Sequence, residues 1–170
     1  MGLSGEAMIA SLRDAFGERL RESGTAFGEV TVVIHRDDGL TVFTALRDRP
    51  EFAFEALSDL TAVDYLGKSP RFEVVYHLHS LSQNHRLRVK IRVVDEDAWV
   101  HSLTPLWKSA NWLERECWDM LGIRFVGHPD PRRILMYEEF VGHPLRKDYP
   151  DDKRQPLTPE RDPIEVGWKV

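Results

Sequence analysis

Several side chains in this sequence are of a type, and at a spacing, that could support chemistry. His128 and His143 each stand in a Gly-His-Pro triplet, Gly127-His128-Pro129 and Gly142-His143-Pro144, fifteen positions apart. With Asp130, Glu139 or Asp148 they could offer nitrogen and oxygen ligands to zinc, as a metal hydrolase would require. The spacing fits no zinc ligand pattern, however, and a proline after each histidine fixes an extended turn, which favours a structural use. Glu114, Glu116 and Asp119 could act as general acids or bases. They also fall near a helix start, where negative charge is favoured anyway. Cys117 could be a nucleophile or a thiolate ligand, but it shares an apolar stripe with Leu113, Met120 and Leu121, so a buried structural thiol is the simpler reading. Arg132-Arg133 and Arg146-Lys147 could clamp a phosphate. No glycine-rich loop accompanies them, and ion pairs with the carboxylates, within the chain or across an interface, account for both sets.

Composition narrows the function classes. The chain has 170 residues and a formal net charge of -5, a poor balance for a nucleic-acid binder. Its length suits one domain with a substantial core. A single cysteine allows no internal disulfide and cannot supply the four ligands an iron–sulfur cluster usually takes. There is no CxxC, GxGxxG or Walker loop, so flavin, nucleotide and cluster binding lack a motif. No apolar run reaches membrane-spanning length. The start, MGLSGEAMIASLRDAF, lacks the basic-then-apolar order of a secretory signal and the arginine-rich character of a transit peptide. Glu6 stands where a myristoylation site needs Ser or Thr. A soluble, cytoplasmic chain that meets membranes only through partners is expected.

The elements that must position these residues read as α+β. Ser4 to Glu22 carries Ile9, Leu12, Phe16 and Leu20 on one helical stripe, with Ser4 to cap it and Gly24 to end it. Glu29 to His35 is rich in β-branched residues and reads as a strand. Leu40, Phe43 and Leu46 fit a short helix capped by Asp37 or Asp38 and ending before Pro50. Phe52 to Tyr65 reads as mainly helical. Arg71 to Leu81 and Arg86 to Val94 both alternate, with Ser82-Gln83-Asn84-His85 as the turn of a hairpin. Pairing Leu81 with Arg86 sets Leu78 opposite Val89, Tyr76 opposite Ile91 and Val74 opposite Val93, all on the core face. The other face sets His79 beside Arg88 and His77 beside Lys90. Its basic row (Arg86, Arg88, Lys90, Arg92) is either a solvated sheet face, a docking face for an acidic partner, or an RNA site. No aromatics interleave with these charges, which disfavours RNA. His77 and His79 point the same way on one strand, but neighbouring cations weaken a metal reading. Asp95 to Leu106 is a connection. Asn111 caps the next helix, Arg115 and Asp119 sit at i, i+4 spacing to pair, and Gly122 stops it. Asp151 to Val170 reads as an extended tail, with Trp168 suited to lie on another surface.

The stretch Glu114 to Pro150 organises the rest. It mixes Trp118, Phe125, Ile134, Leu135, Met136, Tyr137 and Phe140 with many charges of both signs. A solvated loop would not need those apolar residues, and a core would not hold so many charges unpaired. Packing against another protein, with ion pairs fixing register, accommodates both.

This stretch closely resembles the signature of the thirty-kilodalton subunit of respiratory complex I, the NADH:quinone oxidoreductase. The resemblance rests on Glu114-Arg115-Glu116, Asp119-Met120, Gly122-Ile123, Phe125, Gly127-His128-Pro129, Arg132-Arg133-Ile134-Leu135 and the block Gly142 to Pro150. Leu57 to Tyr65 and Leu103-Thr104-Pro105-Leu106-Trp107 share it. The resemblance implies a non-catalytic scaffold in the peripheral arm of a proton-translocating NADH:quinone oxidoreductase. It would carry no flavin or cluster, those residing on partner subunits. It would dock the large subunit lining the quinone cavity, on the cytoplasmic side of the bacterial inner membrane. An equivalent subunit of a membrane-bound hydrogenase or of a ferredoxin-dependent quinone reductase is equally compatible. The expected architecture is a core over residues 1–122, a small antiparallel or mixed sheet with helices on one face. An irregular extension over residues 123–170 follows. The expected partner-facing residues are Glu114, Arg115, Glu116, Asp119, His128, Arg132, Arg133, His143, Arg146, Lys147, Asp148 and Tyr149.

Overall fold

The computed structural model describes residues 4–153 and residue 155. A central sheet takes its strands in the order β1 (Leu20–Ala26), β2 (Glu29–Ile34), β5 (His85–Val93), β4 (Phe72–Ser80) and β3 (Ala56–Asp64). The pairing is antiparallel except between β2 and β5, so the sheet is mixed. Helices α1 (Gly5–Phe16), α2 (Gly39–Asp48) and α3 (Ala110–Leu121) contribute to one core with a single face of that sheet. A parallel pair, β6 (Trp99–His101) with β7 (Arg124–Val126), completes the α+β fold.

Side-chain alternation explains why only one sheet face is covered. Val30, Val32 and Ile34 align with Leu87, Val89 and Ile91, and these with Leu78, Tyr76 and Val74. All are buried, and burying each such side chain contributes ~1.5–3 kcal/mol. Phe43 of α2 seals the layer, 4.6 Å from the Tyr76 ring and 6.1 Å from Trp107. On the opposite face the basic row is interleaved with acids. Arg88 pairs with Glu29, Lys90 with Glu73, and Arg92 with both Glu73 and Glu22. These carboxylates neutralise the surface that RNA would need.

Several elements differ from the sequence expectation, each for a local reason. The first helix ends at Phe16 rather than Glu22. Gly17 takes a left-handed φ of 51° and its N–H closes on Arg13, after which a 3-10 turn leads into β1. The stretch expected to be helical over Phe52 to Tyr65 contains strand β3. A bulge between Leu57 and Asp59 breaks the two-residue alternation, so buried Leu57 and Leu60 stand three apart and mimic helical spacing. The hairpin keeps its expected faces but shifts register by two residues. Val74 meets Ile91, Tyr76 meets Val89 and Leu78 meets Leu87, while His79 lies beside Arg86 and His77 beside Arg88. His85 belongs to β5 instead of the turn, its Nε2 2.8 Å from the Phe52 carbonyl.

Helix α2 follows Asp38, whose side chain makes no cap hydrogen bond. The connection Asp95 to Leu106 contains β6. Helix α3 starts after Ser109, not at a capping Asn111. The boundary at residue 122 cuts between α3 and β7, and Ile123 and Phe125 belong to the core. Of the expected tail, Asp151 to Lys153 and Gln155 are described. Residues 154 and 156–170, Trp168 included, lie outside the described residues.

Candidate functional site

Helix α3 is the centre of the site, and a strap over residues 127–149 is laced along it. A helix leaves its last carbonyls without intrahelical partners, and here the strap supplies several. Gly122, left-handed at φ 78°, donates its N–H to the Trp118 carbonyl. His143 donates from Nδ1 to the Asp119 carbonyl at 3.0 Å, and the Leu145 N–H reaches the Met120 carbonyl at 3.0 Å. The ring of His143 comes so close to Gly122 that a Cβ there would sit 2.7 Å from it. Gly122 is therefore required twice, for its conformation and for its missing side chain. The other Gly-His-Pro triplet acts nearer the start of the helix. His128 donates from Nε2 to the Asn111 carbonyl at 3.1 Å and accepts the Asp130 N–H on Nδ1 at 3.0 Å. The two histidine anchors, Asn111 and Asp119, are eight residues apart, ~12 Å along a helix axis. One zinc ion cannot span that, and among the described residues no three His, Cys, Asp or Glu side chains cluster to hold a metal.

Asp119 holds the strap's middle. Its side chain is fully buried, with one carboxylate oxygen 2.5 Å from the Arg133 guanidinium. The other oxygen accepts the N–H groups of Ile134, Leu135 and Met136 at 3.0, 2.8 and 2.9 Å. Burial alone would raise this carboxyl. The backbone N–H bonds and the Arg133 bond outweigh it and keep the group below the usual aspartate value. Arg133 also donates to the Phe140 and Gly142 carbonyls, and its guanidinium lies 5.4 Å from the Trp118 ring. The expected Arg115–Asp119 pair does not form. Arg115 instead donates to the carbonyls of Arg132 and Arg133.

The strap's end is clamped to the sheet by Arg71. Its guanidinium makes two bonds to Asp64, two to Asp148 and one to Asp95. Arg146 pairs with both Asp95 and Asp148, and the Lys147 N–H donates to Asp64 at 2.9 Å. The Arg71 guanidinium holds Asp148 down at about 2 and Asp64 below its usual value. Tyr149 stacks on Phe140 at 5.9 Å, over a Gly142 whose added Cβ would lie 2.8 Å from the tyrosine ring. Of the residues expected to face a partner, Glu114, Asp119, His128, Arg133, His143, Arg146 and Asp148 thus make their closest contacts within the chain. Arg132 is exposed and pairs with Asp130, and Glu116 and Lys147 are exposed. Arg71, Asp64 and Asp95 do not stand out in the sequence. The separations of 7, 24 and 77 residues from Arg71 to its acids leave no local signal.

Two buried groups bear on reactivity. Burial pushes the Cys117 thiol up, so it stays protonated at neutral pH and is a poor nucleophile. Glu114 is fully buried, accepting Ser102 Oγ–H at 2.7 Å and the Leu103 N–H at 2.6 Å. Desolvation pushes its carboxyl up to about 7, against those two bonds. A raised carboxyl pKa stabilises the fold below the unfolded value, near 4.5, and that contribution is lost as pH rises through about 7. Wild type should therefore lose stability relative to Glu114→Gln between pH 4.5 and 7.5, by ~3 kcal/mol in all. Urea unfolding at several pH values checks this; parallel pH profiles would refute it.

What remains outward is apolar. Trp112, Val126, Leu135, Tyr137, Val141 and Leu145 are half of the exposed large hydrophobic side chains among the described residues, and all belong to α3 or to the segment that follows it. Their concentration marks this surface as a contact surface.

The chain matches the family described as respiratory-chain NADH dehydrogenase, 30 Kd subunit, over residues 32–155. It belongs to that family. It is 48% identical over 142 residues to an NADH-quinone oxidoreductase subunit of Citrifermentans bemidjiense, covering 84% of this chain and 87% of the relative. A subunit of the same name from Rhizobium etli is 43% identical over 158 residues, covering 91% and 84%. Among solved structures, a trypsin-resistant fragment (1-134) of Nqo5 aligns with TM-score 0.63 and 33% identity, over 74% of this chain and 97% of the fragment. A chain of an archaeal membrane-bound sulfane sulfur reductase shares the fold, with TM-score 0.72 at 22% identity over 86% of each chain. The strap, both Gly-His-Pro anchors and the Arg71 clamp lie within the family match. Among the described residues no helix is long and apolar enough to cross a membrane.

Proposed function

We propose that this chain is a scaffold in the peripheral arm of a proton-translocating NADH:quinone oxidoreductase. It docks the subunit lining the quinone cavity and links the electron-input and membrane arms. It lies on the cytoplasmic side of the bacterial inner membrane and associates with that membrane through the complex. The chain holds no cofactor of its own, and flavin and iron–sulfur clusters belong to its partners. Its one cysteine, buried in α3, is too few for a cluster.

One observation carries the reading. The buried charges of the strap are matched inside the chain, while its exposed apolar side chains have no such use. Internal ion pairs make the strap rigid before any partner arrives, and a rigid apolar surface loses little entropy on docking. The relatives named above are subunits of the same oxidoreductase.

Tagging the chain at its native level, solubilising membranes gently and identifying what co-purifies tests the proposal. The expected product is a large assembly containing flavin and iron with NADH–quinone activity. A chain recovered alone from membranes active in NADH oxidation would overturn it, and an assembly with a different electron-input module would reassign the donor.

A further inference from the structure

Beside α3 lies a cavity of about 370 Å³ that the strap leaves open. Trp118, Phe125, Val126 and Pro131 form apolar walls, and Glu114 and His128 lie at its base. Both base groups already have hydrogen-bond partners: Glu114 accepts from Ser102 and Leu103, and both His128 nitrogens are engaged. The base therefore offers little to a polar ligand. The rim is cationic. Arg124 is exposed, and its acid, Asp97, lies 3.5 Å away while Arg36 holds that same carboxylate at 2.6 Å. Arg115 spends its bonds on two neutral carbonyls, and the nearby Asp130 is paired by Arg132 at 2.7 Å. Trp112, 60% exposed, lies under the Arg115 guanidinium at 5.3 Å and extends the apolar surface beyond the rim.

We infer that this cavity is a socket for one large apolar or aromatic side chain of a neighbouring subunit, presented beside a carboxylate that meets Arg124 and Arg115. The volume sits at the lower end of ligand clefts, which span ~300–1,000 Å³, and suits an anchoring side chain better than a bulky cofactor. An apolar pit ringed by Trp and Arg is the composition of an interface hot spot. The rim's unbalanced guanidiniums complement an acidic partner and disfavour a basic one. This inference rests on the proposed assembly and adds the chemistry of its contact.

Two exposed positions test it without touching the core. Val126→Trp fills the mouth of the socket, and Arg124→Glu reverses the rim. Each should lower recovery of the tagged chain in the membrane-derived assembly by about 10-fold or more, while the isolated full chain melts as wild type does. A photo-cross-linking amino acid at residue 126 should capture, in the assembled complex, another subunit's large apolar residue within a few positions of an Asp or Glu. Recovery of both variants at wild-type levels would overturn the socket. So would cross-links only to lipid, to a second copy of this chain, or to nothing. Failure of the wild-type chain itself to join an assembly would instead strike the scaffold reading, so the two can be told apart.

Discussion

Asp119→Ala should cost about 3–5 kcal/mol and free the middle of the strap from α3. The magnitude follows from what is stranded. Arg133, with 13% of its side chain exposed, would lose the carboxylate that neutralises it, and removing one partner of a buried pair costs ~3–5 kcal/mol. The N–H groups of Ile134, Leu135 and Met136 would lose their shared acceptor as well. For a chain of this size that loss corresponds to a fall in Tm of about 10 °C. The damage should be regional at first, because His143 and Leu145 still cap the end of α3 through backbone carbonyls. Trypsin supplies the local readout. Arg132 and Arg133 should become fast cleavage sites in the variant while the core sheet stays intact. A variant that unfolds at the wild-type urea midpoint and resists trypsin equally would show that Asp119 does not hold the strap.

The elements legible in the sequence are those whose pattern matches an undistorted period. Strands β2, β4 and β5 and helix α2 alternate or repeat as regular elements do. Strand β3 is hidden by its bulge, which places Leu57 and Leu60 at a spacing that also suits a helix. Strand β1 is hidden because its turn residues, Phe27 and Gly28, both have positive φ although Phe is an unusual choice there. The hairpin register differs by two because the four-residue turn begins one residue earlier than the alternation suggests, at Leu81 in place of Ser82. A two-residue slip leaves every side chain on its proper face, so alternation does not detect it.

The site divides in the same way. The density of charged and apolar residues over Glu114 to Pro150 marks the region, and the two Gly-His-Pro triplets mark its turns. What each residue holds is not legible, because the partners are distant in the chain or belong to the backbone. His143 bonds a carbonyl 24 residues away, and Arg71 bonds a carboxylate 77 residues away. Spacing at i, i+4 suggests Arg115 with Asp119. The fold gives Asp119 an arginine on the strap instead, since a buried carboxylate needs several donors and one helix neighbour supplies too few.

Arg71→Met should be comparably destabilising, and at the opposite end of the strap. Arg71 and Asp64 have side chains only 8% and 2% exposed. Deleting the guanidinium leaves Asp64 charged and buried with the Lys147 N–H as its remaining donor, a loss of ~3–5 kcal/mol. Asp95 and Asp148 are more open and can hydrate, so they add little. The pH dependence separates this explanation from simple loss of packing. Asp148, held at about 2, and Asp64, also lowered, contribute stability above their ordinary pKa values that is lost as pH falls toward their folded values. Wild type should therefore weaken steeply below about pH 4, while Arg71→Met, whose aspartates no longer have that cation, should show a shallower acid slope. Removing the stranded charge as well, in Asp64→Leu/Arg71→Met, should recover much of the loss at pH 7, because an apolar pair can replace a buried ionic one at little cost. A double variant as unstable as the sum of the singles would mean that Arg71 and Asp64 act independently, and that the strap's end is held by packing on Phe72 rather than by the clamp.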